Sequence, residues 1–389
     1  MKILVLAPQP FFQNRGTPIA VRMLIEDLQG AGHEVELLVF HEGEDVDLSD
    51  ITIHRTLAVP GISNIGPGFS FKKVICDFFM LTGAVRLCCR SRYDMIHAVE
   101  ESVFIAMILK LFFRIPYIYD IDSWLSDQII EKFSFIRPMR GFFSFCENAA
   151  VRYSNGAVAV CKVLEEKVRG IDSRIPLLRL EDVSLVSEAE CEYESLRDVV
   201  GSSGDILLYV GNLEKYQGID LLLEAFRILS KKRADCCLVI IGGSRPGIEK
   251  YIKKAEELAI LSQVFFIGSR PLDRLGMYLR QADLLVSPRV DGENTPMKIY
   301  SYMASGIPIV ATRITSHTQV LDDSTALLAE PDGVSMAESF MQGLADKRKS
   351  AGLAASAVEK VENEYSRSAF QFKLTRFYSE LSNVWNLRI

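Results

Sequence analysis

Residues 287–312 read SPRVDGENTPMKIYSYMASGIPIVAT, and the punctuation of this stretch decides the fold class. An apolar run closes at Ser287-Pro288, a polar loop follows, and a helical pattern opens near Pro296 or Met297. Ser305-Gly306 ends that helix and Pro308 opens the next strand. Asn294 and Thr295 are capping residue types, and proline suits a first helical turn. The stretch is therefore one strand–loop–helix–strand unit of a parallel sheet, and backbone N–H groups at such a helix start can hold an anion. Arg289 and Lys298 add positive charge there, and Glu293 offers an acceptor for hydroxyl groups. A well-capped helix with solvated charges is the alternative reading of the same residues.

Working outward, short apolar runs alternate with longer amphipathic ones. In the first half the strand candidates are Lys2–Ala7, Glu34–Phe40, Met95–His97, Tyr117–Tyr119 and Gly156–Val160, separated by helical patterns such as Pro18–Ala31 and Ser102–Phe112. The pattern restarts with Asp205–Val210, Cys237–Ile241, Val264–Ile267, Leu284–Ser287 and Pro308–Ala311. Leu221–Lys231, Gly247–Ala259, Leu272–Gln281 and Met297–Ser305 are the helices between them. Two such βαβ series predict two doubly wound, Rossmann-like α/β domains, residues 1–182 and 200–365. The acidic, serine-rich, poorly periodic stretch Glu181–Gly204 reads as the linker, and a final helix near Ser366–Trp385 is long enough to reach back across the first domain. Ligands of such sheets bind beyond the carboxyl ends of the strands, so the residues just after the strands, lining an expected cleft between the domains, are the functional candidates.

Bulk properties narrow the class further. A chain of 389 residues exceeds one ordinary core. The net charge of -6 argues against a general nucleic-acid grip, so no nucleic-acid partner is expected. The eight cysteines form no C-x-x-C and read as reduced core residues of a cytoplasmic protein. The opening MKILVLAP reads as a buried strand, since its apolar run is short and no small-residue cleavage site follows. The longest lipid-like run, Val103 to Phe113, is broken by Lys110 and falls short of the roughly 20 residues a spanning helix needs.

The stretch from Ser287 to Thr312 resembles the signature of the family 4 (group 1) glycosyltransferases of the GT-B fold. That signature has two glutamates eight positions apart ahead of a Met-Ala-Ser-Gly-x-Pro run, matched here by Met303-Ala304-Ser305-Gly306-Ile307-Pro308. Glu293 takes the first glutamate's place, which the resemblance puts near the donor sugar, with Asp291 as the alternative if the loop carries an insertion. Ser301 falls on the second glutamate, which the family uses to hold the nucleotide ribose. Residues 207–226, LLYVGNLEKYQGIDLLLEAF, resemble the strand–loop–helix that opens the family's donor domain. There, after Gly211, Asn212 and Gln217 stand where an arginine and a lysine usually grip the diphosphate. Phosphate needs cations, N–H groups or a metal. Arg289, Lys298 and Lys215 are the available substitutes, and Arg289 with Lys298 is the pair expected to have taken over. Gly242-Gly243 resembles the family's glycine turn beside the nucleotide.

In the first half, Arg15-Gly16-Thr17 occupies the place of the family's glycine loop toward the donor phosphates, with one glycine where two are usual. His97, read as the end of its strand, and the following Glu100 and Glu101 are candidate catalytic and acceptor-side ligands; a satisfied structural histidine is the alternative for His97. Asp122 takes the place where the family often has a histidine touching the transferred sugar, and Ser123 follows it. The resemblance implies transfer with retention of anomeric configuration from a nucleotide-sugar donor, UDP- or GDP-linked, with neither metal nor other cofactor, to a sugar or lipid-linked acceptor. The aromatic and basic mixture of Phe69–Arg92 and Phe133–Phe145 adds peripheral contact with an anionic membrane face as an expectation; burial of those phenylalanines is the alternative. A nucleotide-sugar epimerase, a phosphorylase and a non-catalytic nucleotide-sugar-binding protein are the rival readings. A nicotinamide dehydrogenase is disfavoured, because no G-x-G-x-x-G follows the first strand.

Overall fold

The computed structural model describes residues 1–13, 16–46, 48, 50–66, 70–186, 194–201 and 203–385. The chain forms two compact units, Met1–Glu181 together with Phe370–Ile389, and Asp182–Ala369. In the first unit the strands are β1 (Lys2–Ala7), β2 (Glu34–Val39), β3 (Thr52–Arg55), β4 (Met95–Val99), β5 (Tyr117–Ile121), β6 (Gly156–Ala159) and β7 (Leu177–Arg179). Its helices are α1 (Gly16–Gly30), α2 (Phe71–Arg90), α3 (Val103–Phe113), α4 (Leu125–Lys132), α5 (Arg140–Arg152) and α6 (Lys162–Ile171). All pairings are parallel, in the order β3-β2-β1-β4-β5-β6-β7. Strands covered on both faces need continuous apolar sequence, which is why KILVLA and MIHAV are buried almost throughout.

The second unit repeats the scheme. Helix α7 (Leu196–Val200) precedes β8 (Ile206–Val210), α8 (Ile219–Ser230), β9 (Cys237–Ile241), α9 (Arg245–Glu257) and β10 (Val264–Gly268). Then come α10 (Leu275–Leu279), β11 (Leu284–Ser287), α11 (Lys298–Ala304), β12 (Ile309–Thr312), α12 (Thr315–Thr318) and β13 (Leu327–Ala329). The helices α13 (Gly333–Ala345), α14 (Lys347–Glu364) and α15 (Arg367–Trp385) complete the chain. The sheet order is β10-β9-β8-β11-β12-β13, again parallel throughout. In each unit the strand order reverses beside the first strand, between β1 and β4 and between β8 and β11. Ligands of doubly wound sheets bind at this reversal, beyond the strands' carboxyl ends.

Three strands escape the periodicity argument: β3, β7 and β13. All lie at sheet edges; β3 and β7 are largely half-exposed, and β13 is mostly buried but only three residues long, so none carries a long apolar run. The stretch read as linker contains α7, whose five residues are too few to show a helical period. Ser195 caps it by accepting from the Asp198 N–H, and Gly201 ends it at φ 62°. The expected capping by Asn294 and Thr295 is also corrected. Helix α11 begins at Lys298 without a side-chain cap, and the Asn294 amide oxygen accepts from Arg289 instead.

The chain's last helix belongs to the first unit from Phe370 onward, with Phe370, Leu374, Phe377, Tyr378 and Leu381 buried. This changes the reading of His97. Strand β4 continues to Val99, so His97 lies within the strand and not in the turn after it, and its side chain is 0% exposed. Asp120 Oδ2 lies 2.9 Å from its Nε2, and the Tyr378 hydroxyl lies 2.6 Å from its Nδ1. A carboxylate only accepts, so Nε2–H donates to Asp120 and Nδ1 accepts from Tyr378. His97 thus ties α15 to the middle of the first sheet.

Candidate functional site

In the second unit the reversal point is built from the loops after β8 and β11. Gly218 lies so close beneath the second loop that a Cβ on it would sit 1.9 Å from the Pro288 carbonyl oxygen, so only glycine fits. The Val290 N–H donates to the Tyr216 carbonyl at 2.9 Å and joins the loops from the other side. Gly242 and Gly243, after β9, have φ of 108° and 87°, and Gly242 N–H donates to Gly268 O at 2.8 Å.

Lys298 and Gln217, 81 residues apart, meet here. The Lys298 ammonium donates to the Gln217 amide oxygen at 2.9 Å and stacks 4.1 Å from the centre of the Tyr209 ring. A Cβ on Gly211 would lie 3.3 Å from the same ammonium. Burial and the nearby Arg289 guanidinium pull Lys298 well below the usual lysine range. Among the described residues no carboxylate pairs with it; an amide oxygen and an aromatic face leave its charge uncompensated.

Arg289 has a different occupation. Its Nε donates to the Asp291 carbonyl at 2.6 Å, and its two terminal nitrogens donate to the carbonyl and side-chain oxygens of Asn294 at 3.1 and 3.2 Å. Its planar face lies over Tyr216. The guanidinium therefore shapes the 289–294 loop that it begins. Asn212 and Lys215 are exposed on the facing loop, where the Asn212 side chain accepts from the Glu214 N–H.

Sequence reasoning missed His317. It is 0% exposed and lies under this loop, with Nε2 2.9 Å from Ser287 Oγ and Nδ1 2.9 Å from the Thr312 carbonyl. The carbonyl can only accept, so Nδ1 carries the proton and Nε2 accepts from Ser287. Thr312 Oγ1 in turn donates to the Arg289 carbonyl. Burial, with Lys298 and Arg289 nearby, pulls His317 down to about 3, so it is neutral at physiological pH. Its only sequence signal was its place just after a strand.

Ser301 lies within helix α11. It is 0% exposed, and its hydroxyl accepts from the Leu185 N–H at 2.9 Å. Helix α11 packs most of its length into the core, so Ser301 faces the entering chain and not an open surface. Glu293 is exposed, and its carbonyl accepts from the Gln319 amide at 2.7 Å. Thr295 is 3% exposed with a hydroxyl that has no hydrogen-bond partner among the described residues. Asp291 accepts from the Gly292 N–H.

In the first unit, Gly16 opens α1 after β1, while Arg15 lies outside the described residues. Glu100 follows β4 at φ 49°, and Glu101 forms an ion pair with Lys73 of α2. Burial and the Glu101 charge push Glu100 up to about 7; burial and Glu101 push Asp77 of α2 up to about 8. Beside them the Tyr119 hydroxyl is buried without a partner among the described residues, as is the Ser123 hydroxyl after β5. Asp122 is half-buried in the same turn. Buried polar atoms left unbonded within a charged cluster are where a polar ligand gains most.

Comparison with known proteins agrees with this geometry. The family described as Glycosyl transferases group 1 matches residues 197–360, and the Glycosyl transferase 4-like domain matches residues 15–179. The D-inositol 3-phosphate glycosyltransferase of Corynebacterium diphtheriae is 26% identical over 182 residues, 45% of this chain and 42% of that protein. The lipopolysaccharide 1,2-N-acetylglucosaminetransferase of Salmonella typhimurium is 30% identical over 193 residues, 47% of this chain and 50% of that protein. The chain thus spans about half the length of the curated relatives it matches. Among solved structures, sucrose-phosphate synthase of Thermosynechococcus elongatus superposes with a TM-score of 0.81 at 19% identity, covering 98% of this chain and 99% of that one. Anabaena Alr3699/HepE in complex with UDP and glucose gives 0.76 at 15% identity, covering 98% and 100%. Two Rossmann-like sheets with matching reversal points and two family matches that together span most of the sequence lead to one assignment: the chain belongs to the group 1, glycosyltransferase 4-like family.

Proposed function

We infer that the protein transfers a sugar from a nucleotide-sugar donor, UDP- or GDP-linked, to a sugar or lipid-linked acceptor, with retention of anomeric configuration. The observation that carries this reading is the unpaired Lys298 ammonium held by Gln217 at the reversal point of the second sheet. Gln217 stands where the family's phosphate-gripping lysine is expected. A lysine arriving from α11 brings the missing charge to that same spot, beside Gly211. There it stabilises the diphosphate as negative charge builds on it during cleavage of the bond to the anomeric carbon. The acceptor hydroxyl then attacks the same face and passes its proton to the departing phosphate.

Glu293 and the orphan Thr295 hydroxyl are the proposed contacts to the donor sugar. Arg289 acts in this reading by shaping the loop that carries them. Glu100, Asp122 and Ser123 are the proposed acceptor-side ligands of the first unit. The Anabaena neighbour solved with UDP-glucose supports a UDP-sugar as the first donor to try.

Calorimetry with UDP, GDP and their glucose, N-acetylglucosamine and mannose conjugates tests the reading. Micromolar binding of one nucleoside diphosphate and its sugar is the expected result. No heat with any of them would overturn it.

A further inference from the structure

Three elements of the first unit present apolar side chains outward. On α2, Phe71, Val74, Ile75 and Phe78 are exposed at i, i+3, i+4 and i+7, a full helical stripe. The opposite face of α2 packs into the core through Cys76, Met80, Ala84 and Cys88. Helix α3 repeats the pattern with Phe104, Ile108, Leu111 and Phe112, and Lys110 is its one charged residue. Before and within α5, Phe135, Met139, Phe142 and Phe145 are exposed. The most exposed of these phenylalanines and leucines, such as Phe71, Leu111 and Phe135, are 72–75% accessible, far beyond scattered surface hydrophobes. The stripes are continuous. Helix α3 touches both α2 and α5, and the rings of Phe71, Phe133 and Phe135 follow one another at 6.1 and 5.9 Å.

The charge on these elements is one-sided. Lys72, Arg86 and Arg90 of α2 are exposed, as are Arg114 and Arg137 beside α3 and α5 and Arg140, which pairs with Asp127 of α4 at 3.0 Å. The acids of the same helices turn inward: Asp77 lies against the Lys73–Glu101 pair, and Glu147 accepts from the N–H groups of Leu125 and Ser126. Among the described residues of α2, α3, α5 and the segment 134–139, every exposed charged side chain is basic, in a chain whose net charge is -6. Among the described residues no helix is long and apolar enough to cross a membrane.

We propose that this three-helix face is a docking surface for an anionic lipid bilayer, with the phenylalanines and leucines entering the headgroup boundary and the flanking arginines and lysines meeting lipid phosphates. Apolar stripes on helices lying side by side, ringed by one sign of charge, match an interface with both an apolar layer and negative headgroups. A second copy packed through the same face offers no such complement, because it would bring the same basic charges to the contact. The proposal deepens the acceptor reading above by naming the surface on which a lipid-linked acceptor is met, and the two fail separately.

The test is vesicle co-sedimentation of the purified chain with phosphatidylglycerol–phosphatidylcholine and pure phosphatidylcholine vesicles, alongside nucleotide calorimetry and light scattering. The variants are Phe71→Ser/Phe78→Ser, Leu111→Ser/Phe112→Ser and Arg86→Glu/Arg90→Glu, all at exposed positions that leave the core intact. Binding to the anionic vesicles, weakened about tenfold or more by each pair and by raised salt, is the expected result. Equal binding to neutral vesicles, or none to either while nucleotide binding persists, would overturn it. So would a wild-type dimer that the serine variants dissociate, which would give the face to a second copy.

Discussion

The Lys298 ammonium lies 2.9 Å from the Gln217 amide oxygen, although the two residues come from different βα loops of the second sheet. In the proposed reading a charge has moved from one segment to its neighbour with its position kept. An exchange of the two side chains should therefore be tolerated. Lys298→Gln alone is expected to weaken nucleoside-diphosphate binding by about 10–100-fold, the worth of one charge-assisted hydrogen bond. The double variant Lys298→Gln/Gln217→Lys should recover most of it. Calorimetry reads both; an unaffected single variant would remove Lys298 from the donor site.

Arg289 should behave differently from Lys298. Three of its hydrogen bonds close the 289–294 loop. Arg289→Ala is expected to lower thermal stability by about 1–3 kcal/mol, seen as a fall in Tm of several degrees, together with weaker nucleotide binding. Lys298→Gln should leave Tm nearly unchanged. Scanning calorimetry of the two variants separates the roles.

His317 is predicted to stay neutral, with its proton on Nδ1, through the physiological range. Its pKa of about 3 lies far below it. Nitrogen-15 spectra of histidine-labelled protein between pH 5 and 8 should show one ring with fixed, non-titrating shifts. His317→Leu takes the acceptor from the buried Ser287 hydroxyl, at a cost of about 1–3 kcal/mol, while the Thr312 carbonyl keeps the Ile314 N–H.

The Asp77 cluster predicts a pH dependence of stability. Burial and the charges of Glu101 and Glu100 raise Asp77 from 3.8 to about 8, against the opposing pull of Lys73. Between those values the folded chain binds more protons than the unfolded one, so stability contributed by this group falls as pH rises toward 8. Asp77→Asn should remove that slope: little change in Tm near pH 4, and a Tm increasingly above wild type toward pH 8.5. A parallel loss at both pH values would show that the carboxyl is charged and needed in the fold.

Tyr378→Phe is expected to cost about 1 kcal/mol, because it removes a donor to a buried ring nitrogen of His97 while keeping the packing. Chemical denaturation measures it. Nucleotide affinity should stay at the wild-type value, since the pair is structural.

The central strands were legible as buried apolar runs, and with them the two sheets and their reversal points, because a parallel strand must be apolar on both faces. The edge strands β3, β7 and β13 were not, since the half-exposed β3 and β7 need no such run and β13 has only three residues. The resemblance around Glu293–Pro308 was legible too, and so was the absence of the usual cations at Asn212 and Gln217. Sequence alone named Arg289 and Lys298 as equal substitutes for them. Only the tertiary structure gives the two different partners, Arg289 bonding carbonyls of its own loop and Lys298 meeting an amide oxygen and an aromatic face, because partners depend on which atoms lie within about 3 Å. The same holds for His97, which a strand two residues longer and a helix returning from 281 positions away turn into a structural contact. Local pattern determines strands and helices through side-chain periodicity; the partner of each polar atom is a matter of distance, which only the folded chain decides.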